Sequence, residues 1–365
     1  MGEVSRLYAA QDQHAGTHLA LRWKGRVRYI VPHGAAAQQA CWKVFSPGKL
    51  GVPLRAMVFL PGLLGAVHCN ENDKMALVRE EIGQEAGLSC CRAGAPGPWP
   101  KETVLVLEKT TNNPLYLVKV GGHATVDSLL QNEATWLHNL RGQPSLSCHI
   151  PELVAHRSGN DFCFIAQRAL SGSVDFSLRE QHAEFLRKLQ DFSVQTMRYE
   201  DSRLCRTLRS RVQNLSGLLT AAWSRRIEKA MLRIEQSLAG PPIPLVVAHN
   251  DFTGWNTRIE RGVAKVFDWE YANDEQLPLF DPLHFALAPM ALHGGPPARV
   301  IRTMDETIER CRQWFGQERC YQPATQALAY LINLCTQYLS VDCAWQNSHP
   351  TLVCHAHVID SMCGS

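Results

Sequence analysis

At 365 residues, 45% hydrophobic and 19% charged, the chain is long enough for two domains, or for one large domain in two lobes. A formal net charge of +3 is too small, by itself, to support binding to nucleic acid or to an anionic membrane. No stretch reaches the length of a membrane span, the first residues lack a signal-peptide pattern, and the 13 cysteines form no CxxC pair. These features predict reduced thiols acting as small hydrophobes in a cytoplasmic protein.

Residues 1–86 carry no motif tied to a chemistry and are treated as an N-terminal extension of unknown role. They include a basic, strand-like stretch, LRWKGRVRYIV (Leu21–Val31), and an apolar stretch broken by Arg55 and Pro61 (Leu54–Cys69) that reads as a core helix and turn. From Gly87 the pattern becomes β-rich. A Gly/Pro-rich connection, GAPGPWPK (Gly94–Lys101), leads into ETVLVLE, a turn cluster and LYLVKV, which together predict an antiparallel hairpin. Helical spacing follows over Thr125–Leu140, then a strand over Asp161–Gln167. Beyond Ser171–Ser173 most of the chain is helical in pattern, interrupted at AGPPIP (Ala239–Pro244) and resuming near Thr303. The expected fold class is α+β, with a small β-rich lobe over 87–170 and a large, mainly helical lobe over 171–365.

The segment Val246–Asp281, VVAHNDFTGWNTRIERGVAKVFDWEYANDEQLPLFD, mixes short apolar runs with many acidic and amide groups. A buried strand, PLVVA, would deliver His249, Asn250 and Asp251. If a tight turn centres on Arg261-Gly262, Glu260 pairs with Val263 and Ile259 with Ala264, and Asn256 and Asp268 meet at the open end of the hairpin. A carboxylate and an amide oxygen converging at a strand end suit a hard cation such as Mg²⁺, and Asp251 is then available as a base toward a hydroxyl. Asp and Asn more commonly cap turns, but three at this spacing favour chemistry.

In LYLVKV, strand alternation aligns Leu115, Leu117 and Lys119, so the lysine points where burial is costly unless it is paired. On the next helix Glu133 falls on the stripe of Leu130, Leu137 and Leu140. The two charges should find each other, either as a structural ion pair or as a lysine held toward a phosphate.

The order of these features is that of the protein-kinase signature set: Gly-rich turn, strand lysine, helix glutamate, H-x-D-x-x-x-x-N and a downstream Asp. HNDFTGWN with VFDWEY resembles the aminoglycoside phosphotransferase and choline kinase branch, within which GAPGPWPKETVLVL, LVKVGG, NEATWLHNL and LFDPLHF are most similar to phosphotransferases of bacterial polysaccharide gene clusters. The resemblance covers about Gly87–Phe285. It implies a bilobal protein-kinase-like fold and ATP- and Mg²⁺-dependent transfer of the γ-phosphate to a hydroxyl of a small molecule, sugar or glycan. By the same resemblance Asp251 is the catalytic base, Asn256 and Asp268 ligate Mg²⁺, and Lys119, held by Glu133, contacts the α- and β-phosphates. Gly94, Gly97 and Lys101 belong to the phosphate-covering connection, Ala166-Gln167 to an inter-lobe connection at the adenine, and His249 to the scaffold of the loop. Glu270 and Asp281 are placed on the acceptor side.

The sequence departs from the pattern in three places. The loop is not G-x-G-x-x-G, Asn250 stands where Arg or Gly is common, and D-W-E replaces D-F-G with no A-P-E after it, which argues against a phosphorylation-controlled activation loop. A nucleotide-binding pseudokinase or scaffold is the alternative reading. Cys354–His357 offers ligand-type residues without a second cluster for Zn²⁺, and the arginines between Arg203 and Arg226 read as solvated helix faces.

Overall fold

The structure, a computed structural model, describes residues 3–10, 16–23, 26–45, 67–93, 101–159 and 162–364. Two compact units result, one of Met1–Gln143 with Ile150–Ser171 and one of Pro144–His149 with Gly172–Ser365.

The first unit is built on a sheet. Its strands are β1 (Glu3–Ser5), β2 (Tyr8–Ala10), β3 (His18–Trp23), β4 (Arg26–Pro32), β5 (Val67–Glu71), β6 (Ala86–Ala93), β7 (Glu102–Glu108), β8 (Pro114–Val120), β9 (Leu153–Arg157) and β10 (Phe164–Arg168). Among the described residues they form one sheet of ten strands in the order β1-β2-β5-β3-β4-β6-β7-β8-β10-β9. Strands on both sides of the expected 86/87 division therefore share one sheet, and the division itself falls at the start of β6. The described residues of the basic stretch Leu21–Val31 lie in β3 and β4, with Leu21 opposite Tyr29 and Trp23 opposite Arg26. Of the apolar stretch Leu54–Cys69 only its end is described, and that end is β5 rather than helix; the rest lies outside the described residues.

Among the described residues three helices belong to this unit: α1 (Ala35–Phe45), α2 (Asp73–Ile82) and α3 (Ala124–Arg141). The β7–β8 hairpin forms as expected, with Leu105 opposite Leu117 and Thr103 opposite Lys119. Val126, Leu130 and Ala134 of α3 pack on Cys163 and Ile165, which fixes the helix against β10.

Two expectations need correction. Ala166 and Gln167 lie inside β10, paired with Val118 and Leu117 on one side and with Ala155 and Leu153 on the other. Backbone groups consumed by two ladders cannot serve an adenine, so the connection role does not fall on these residues. The thiols are also not all reduced: α1 packs over the sheet and Cys41 forms a disulfide with Cys90, 49 residues away. The other cysteines remain thiols, and burial pushes several upward, Cys69 to about 12 and Cys163 to about 11, so they behave as the small hydrophobes expected.

The second unit carries α4 (Glu180–Phe192), β11 (Val194–Met197), α5 (Arg203–Leu215), α6 (Ala221–Leu238), β12 (Ile243–Ala248), β13 (Thr257–Glu260), β14 (Val263–Val266), β15 (Asn273–Gln276), α7 (Phe280–Leu292), α8 (Pro297–Phe315), α9 (Pro323–Val341) and α10 (Pro350–Cys363). β12 is the central strand of the sheet β11-β12-β15, which explains why it is apolar throughout. The long helical pattern after Leu204 divides in two because the chain turns at Gly217 (φ 77°) and Thr220 caps α6 through the Trp223 amide. Of its arginines, Arg209 pairs with Glu235 on an exposed face, whereas Arg226, 14% exposed, is bidentate to Asp360, and Arg211 donates to the Asn333 side-chain oxygen, so the expected solvated faces hold only in part. Cys354–His357 lies within α10, and burial drives His355 down to about 3. No described helix is long and apolar enough to cross a membrane.

Candidate active site

In the first unit, Lys119 and Glu133 meet. The Lys119 ammonium donates to both carboxylate oxygens of Glu133 at 2.7 Å, with side chains 4% and 0% exposed. Strand alternation sends Val118 and Val120 into the large apolar cluster, so Lys119 emerges on the opposite face. Glu133 occupies the stripe of α3 that carries Leu130 and Leu137. Two full charges out of water survive only by such mutual compensation. Lys101 lies immediately before β7; Gly94 and Gly97 fall outside the described residues.

In the second unit, β12 ends at Ala248 and releases the loop His249–Asn256. The β13–β14 register is the expected one, Glu260 opposite Val263 and Ile259 opposite Ala264, around a turn with both Arg261 (φ 50°) and Gly262 (φ 79°) left-handed. The Phe267 amide donates to the Asn256 carbonyl at 3.1 Å, which continues the pairing of the hairpin to Asn256 and Phe267, the residue before Asp268. Asp268 is itself left-handed, at φ 73°, and starts the 3-10 turn Trp269–Tyr271.

The loop is anchored by apolar and polar contacts. Phe252 is fully buried and packs on Phe185 of α4 and Phe285 of α7. A Cβ at Gly254 would stand 2.8 Å from the Asp175 carbonyl, so only glycine fits there. His249 accepts the Asp251 amide at Nδ1 (3.2 Å), which places its proton on Nε2, donated to the Phe267 carbonyl at 3.0 Å. It ties the loop to the hairpin, as a scaffold residue would. Beneath the loop, Asp281 accepts the amides of His249 (2.7 Å) and Asn250 (2.9 Å).

Asp251 is held at both carboxylate oxygens. Asn256 donates its side-chain amide to Oδ2 at 2.7 Å and to the Asp251 carbonyl at 3.0 Å. His284 Nε2 lies 3.1 Å from Oδ1. The side chain is still 29% exposed, so an oriented carboxylate edge faces solvent. With its nitrogen committed to Asp251, the Asn256 carboxamide turns its oxygen the other way. Carboxylate oxygens of Asp268 and Glu270 lie within 4.8 Å of each other. Burial pushes the Tyr271 phenol well up, and the charges of Glu270, Asp251 and Asp268 add to that.

A sequence profile of the phosphotransferase enzyme family matches residues 97–299, more than half of the chain. The chain belongs to this family. Among curated proteins none matches it. Among solved structures it is similar to a thermostable mutant of aminoglycoside phosphotransferase APH(4)-Ia in ternary complex with AMP-PNP and hygromycin B, with a TM-score of 0.55 at 14% identity over 80% of this chain and 98% of that one. The same enzyme in a ternary complex with ADP and hygromycin B gives 0.54 at 14% identity, over 80% and 98%. ADP-bound aminoglycoside phosphotransferase APH(2'')-Ib gives 0.50 at 16% identity, over 80% and 97%. At such identities the likeness speaks for the fold, which is the protein-kinase-like one anticipated from sequence, with a β-sheet N-terminal part and a helical C-terminal part.

Against the sequence reading of this phosphotransferase, the structure adds His284. Asp281 is buried under the loop and bonded to its amides. Glu270 is buried and stands next to Asp268. A signal for α7 was present. FDPLHFALAPMAL is apolar except for Asp281 and His284, which sit at i and i+3 on one side of the helix; two buried polar groups in such a helix need partners.

Proposed function

We propose that the protein is an ATP- and Mg²⁺-dependent phosphotransferase that moves the γ-phosphate to a hydroxyl of a small molecule, sugar or glycan. The observation that carries this reading is Asp251, a part-exposed carboxylate whose two oxygens are fixed by Asn256 and His284. Such a group orients an acceptor hydroxyl and receives its proton as the oxygen attacks phosphorus. Asn256 and Asp268 supply an amide and a carboxylate oxygen, the hard donors that Mg²⁺ requires, and the commitment of the Asn256 nitrogen to Asp251 selects its oxygen for the ion. When bound, Mg²⁺ neutralises charge on the β- and γ-phosphate oxygens. Glu270 adds a second carboxylate near Asp268. Lys119 supplies positive charge to the nucleotide phosphates, with Glu133 fixing its ammonium. Hygromycin B is bound in two of the similar structures; the acceptor of this chain is assigned only as an alcohol.

The test is incubation with Mg·ATP and a panel of sugars, aminoglycosides and amino alcohols, following ADP formation and the mass of each acceptor. Transfer in the parent protein and a loss of at least about 10³-fold in Asp251→Asn are expected. Unchanged turnover in that variant would refute the mechanism. A rise in melting temperature with Mg·ATP but no transfer to any acceptor would identify a nucleotide-binding protein instead.

A further inference from the structure

We infer that His284 is a positioning residue for the base, the second of two donors that set the rotation of the Asp251 carboxylate. This rests on the reading of Asp251 as the base.

The torsion that turns a carboxylate about its own axis is soft, with broad wells. A single hydrogen bond leaves one oxygen free to swing. In this protein Asn256 holds Oδ2 and His284 holds Oδ1, so the carboxylate plane is fixed from two directions by groups on different elements. Each oxygen has a further lone pair, and the exposed edge is left to accept from an acceptor hydroxyl.

His284 is built for one proton arrangement. An ionised carboxylate only accepts, so the imidazole must carry its hydrogen on Nε2 to bond Asp251. In the neutral Nε2–H form, Nδ1 is an acceptor facing the Tyr330 hydroxyl, 3.4 Å away on α9. The Tyr330 phenol is fully buried and held neutral, so it is a donor at any ordinary pH. The ring of His284 stacks on Phe280, with centroids 6.2 Å apart, and meets Tyr330 edge-on at 5.9 Å. Asp281 on the same helix and His355 on α10 are within its electrostatic reach. His355 is kept uncharged by burial. The resulting line is Tyr330 O–H to Nδ1, then Nε2–H to Asp251 Oδ1, with every polar atom of the imidazole used.

A buried histidine that merely fills space would tolerate any polar replacement of similar volume. A positioning residue would not. Glutamine places an amide N–H close to the position of the imidazole Nε2, whereas asparagine places it near Nδ1 and cannot reach Asp251. His284→Gln and His284→Asn are therefore compared in ADP formation from Mg·ATP, with water as the acceptor so that no substrate need be known. His284→Gln should stay within about fivefold of the parent kcat, and His284→Asn should lose about 10²-fold, with KM for Mg·ATP changed by less than about twofold. Equal rates for the two variants, or a loss confined to KM, would overturn the proposal. A second measurement is independent of turnover: ¹⁵N-histidine NMR of the parent should show His284 as the Nε2–H tautomer with a slowly exchanging proton. An Nδ1–H tautomer would overturn the proposal even in an active enzyme. A parent protein that forms no ADP and modifies no acceptor refutes the phosphotransfer reading, while the tautomer still decides the hydrogen bond.

Discussion

Glu133 and Asp281 are both buried carboxylates, and the two parts of the molecule hold them in opposite ways. Glu133 is neutralised in place by the Lys119 ammonium, with both oxygens engaged at 2.7 Å. Among the described residues, Asp281 meets no cation at its oxygens, only the peptide N–H groups of His249 and Asn250. Burial lifts its pKa to about 6 in spite of those bonds and of the nearby His284. The ion pair sets two opposite charges in direct contact, one on β8 and one on α3. The carboxylate under the loop carries an unneutralised charge, and what it secures is backbone, namely the two residues that lead into Asp251.

The largest effect should come from breaking the ion pair. Lys119→Met takes the ammonium away from the buried Glu133 carboxylate, which costs about 3–5 kcal/mol. Urea unfolding should show that loss, and phosphate transfer should fall by at least about 10²-fold with the phosphate contact gone. The double variant Lys119→Met with Glu133→Leu should recover most of the stability and none of the activity. A single variant as stable as the parent would mean that the ion pair does not contribute to stability.

Asp281→Asn should separate stability from activity. A folded pKa of about 6 lies above the unfolded carboxylate value, so the folded state holds a proton between about pH 4 and 6 that the unfolded chain has released. Stability from this group is therefore present below about pH 4, falls as pH rises through about 6, and is flat above. The charged form carries a burden on the order of 3 kcal/mol at neutral pH. Asparagine removes that burden but offers one acceptor to two amides, at about 1–3 kcal/mol for the one left unpaired. The two nearly cancel, so the melting temperature at pH 7 should move little while kcat drops about tenfold as the loop loosens. Its stability should also lose the decline between pH 4 and 6. A variant with full kcat would make Asp281 a packing residue.

The same contrast sets what could be read from the sequence. Lys119 and Glu133 were legible because each sits on a local period, strand alternation and helical stripe, that forces a charge inward. The β13–β14 register was legible because Arg261-Gly262 admits one tight turn. Asp281 and His284 reach the loop from α7, more than two elements downstream, and no local period encodes that meeting. The early strands were partly legible as β3 and β4, but nothing local showed that β5 would insert between β2 and β3 in the same sheet. The Cys41–Cys90 bond depends on α1 packing over β6, a tertiary event. Ala166-Gln167 was assigned by order along the chain, whereas the ladders to β8 and β9 decide where its backbone groups go.

The smallest effect concerns Asn250, which stands where Arg or Gly was the commoner expectation. Its φ is 63°, a region glycine enters freely and asparagine tolerates. The two shortest bonds of its side chain are ones glycine cannot make: Nδ2 donates to the Tyr271 carbonyl at 2.9 Å, and Gln276 donates to Oδ1 at 2.8 Å. Asn250→Gly keeps the backbone conformation and loses both, for about 1–2 kcal/mol. Asn250→Ala loses both and also places a Cβ in the left-handed region without the local bonding that compensates asparagine, so it should be less stable than the glycine variant by about 1 kcal/mol. Urea midpoints would rank them parent, glycine, alanine, with the glycine variant within about threefold of the parent in turnover. If alanine proved as stable as glycine, side-chain bonding rather than backbone conformation would be what asparagine contributes, and Asp281 would be left as the main restraint on the loop.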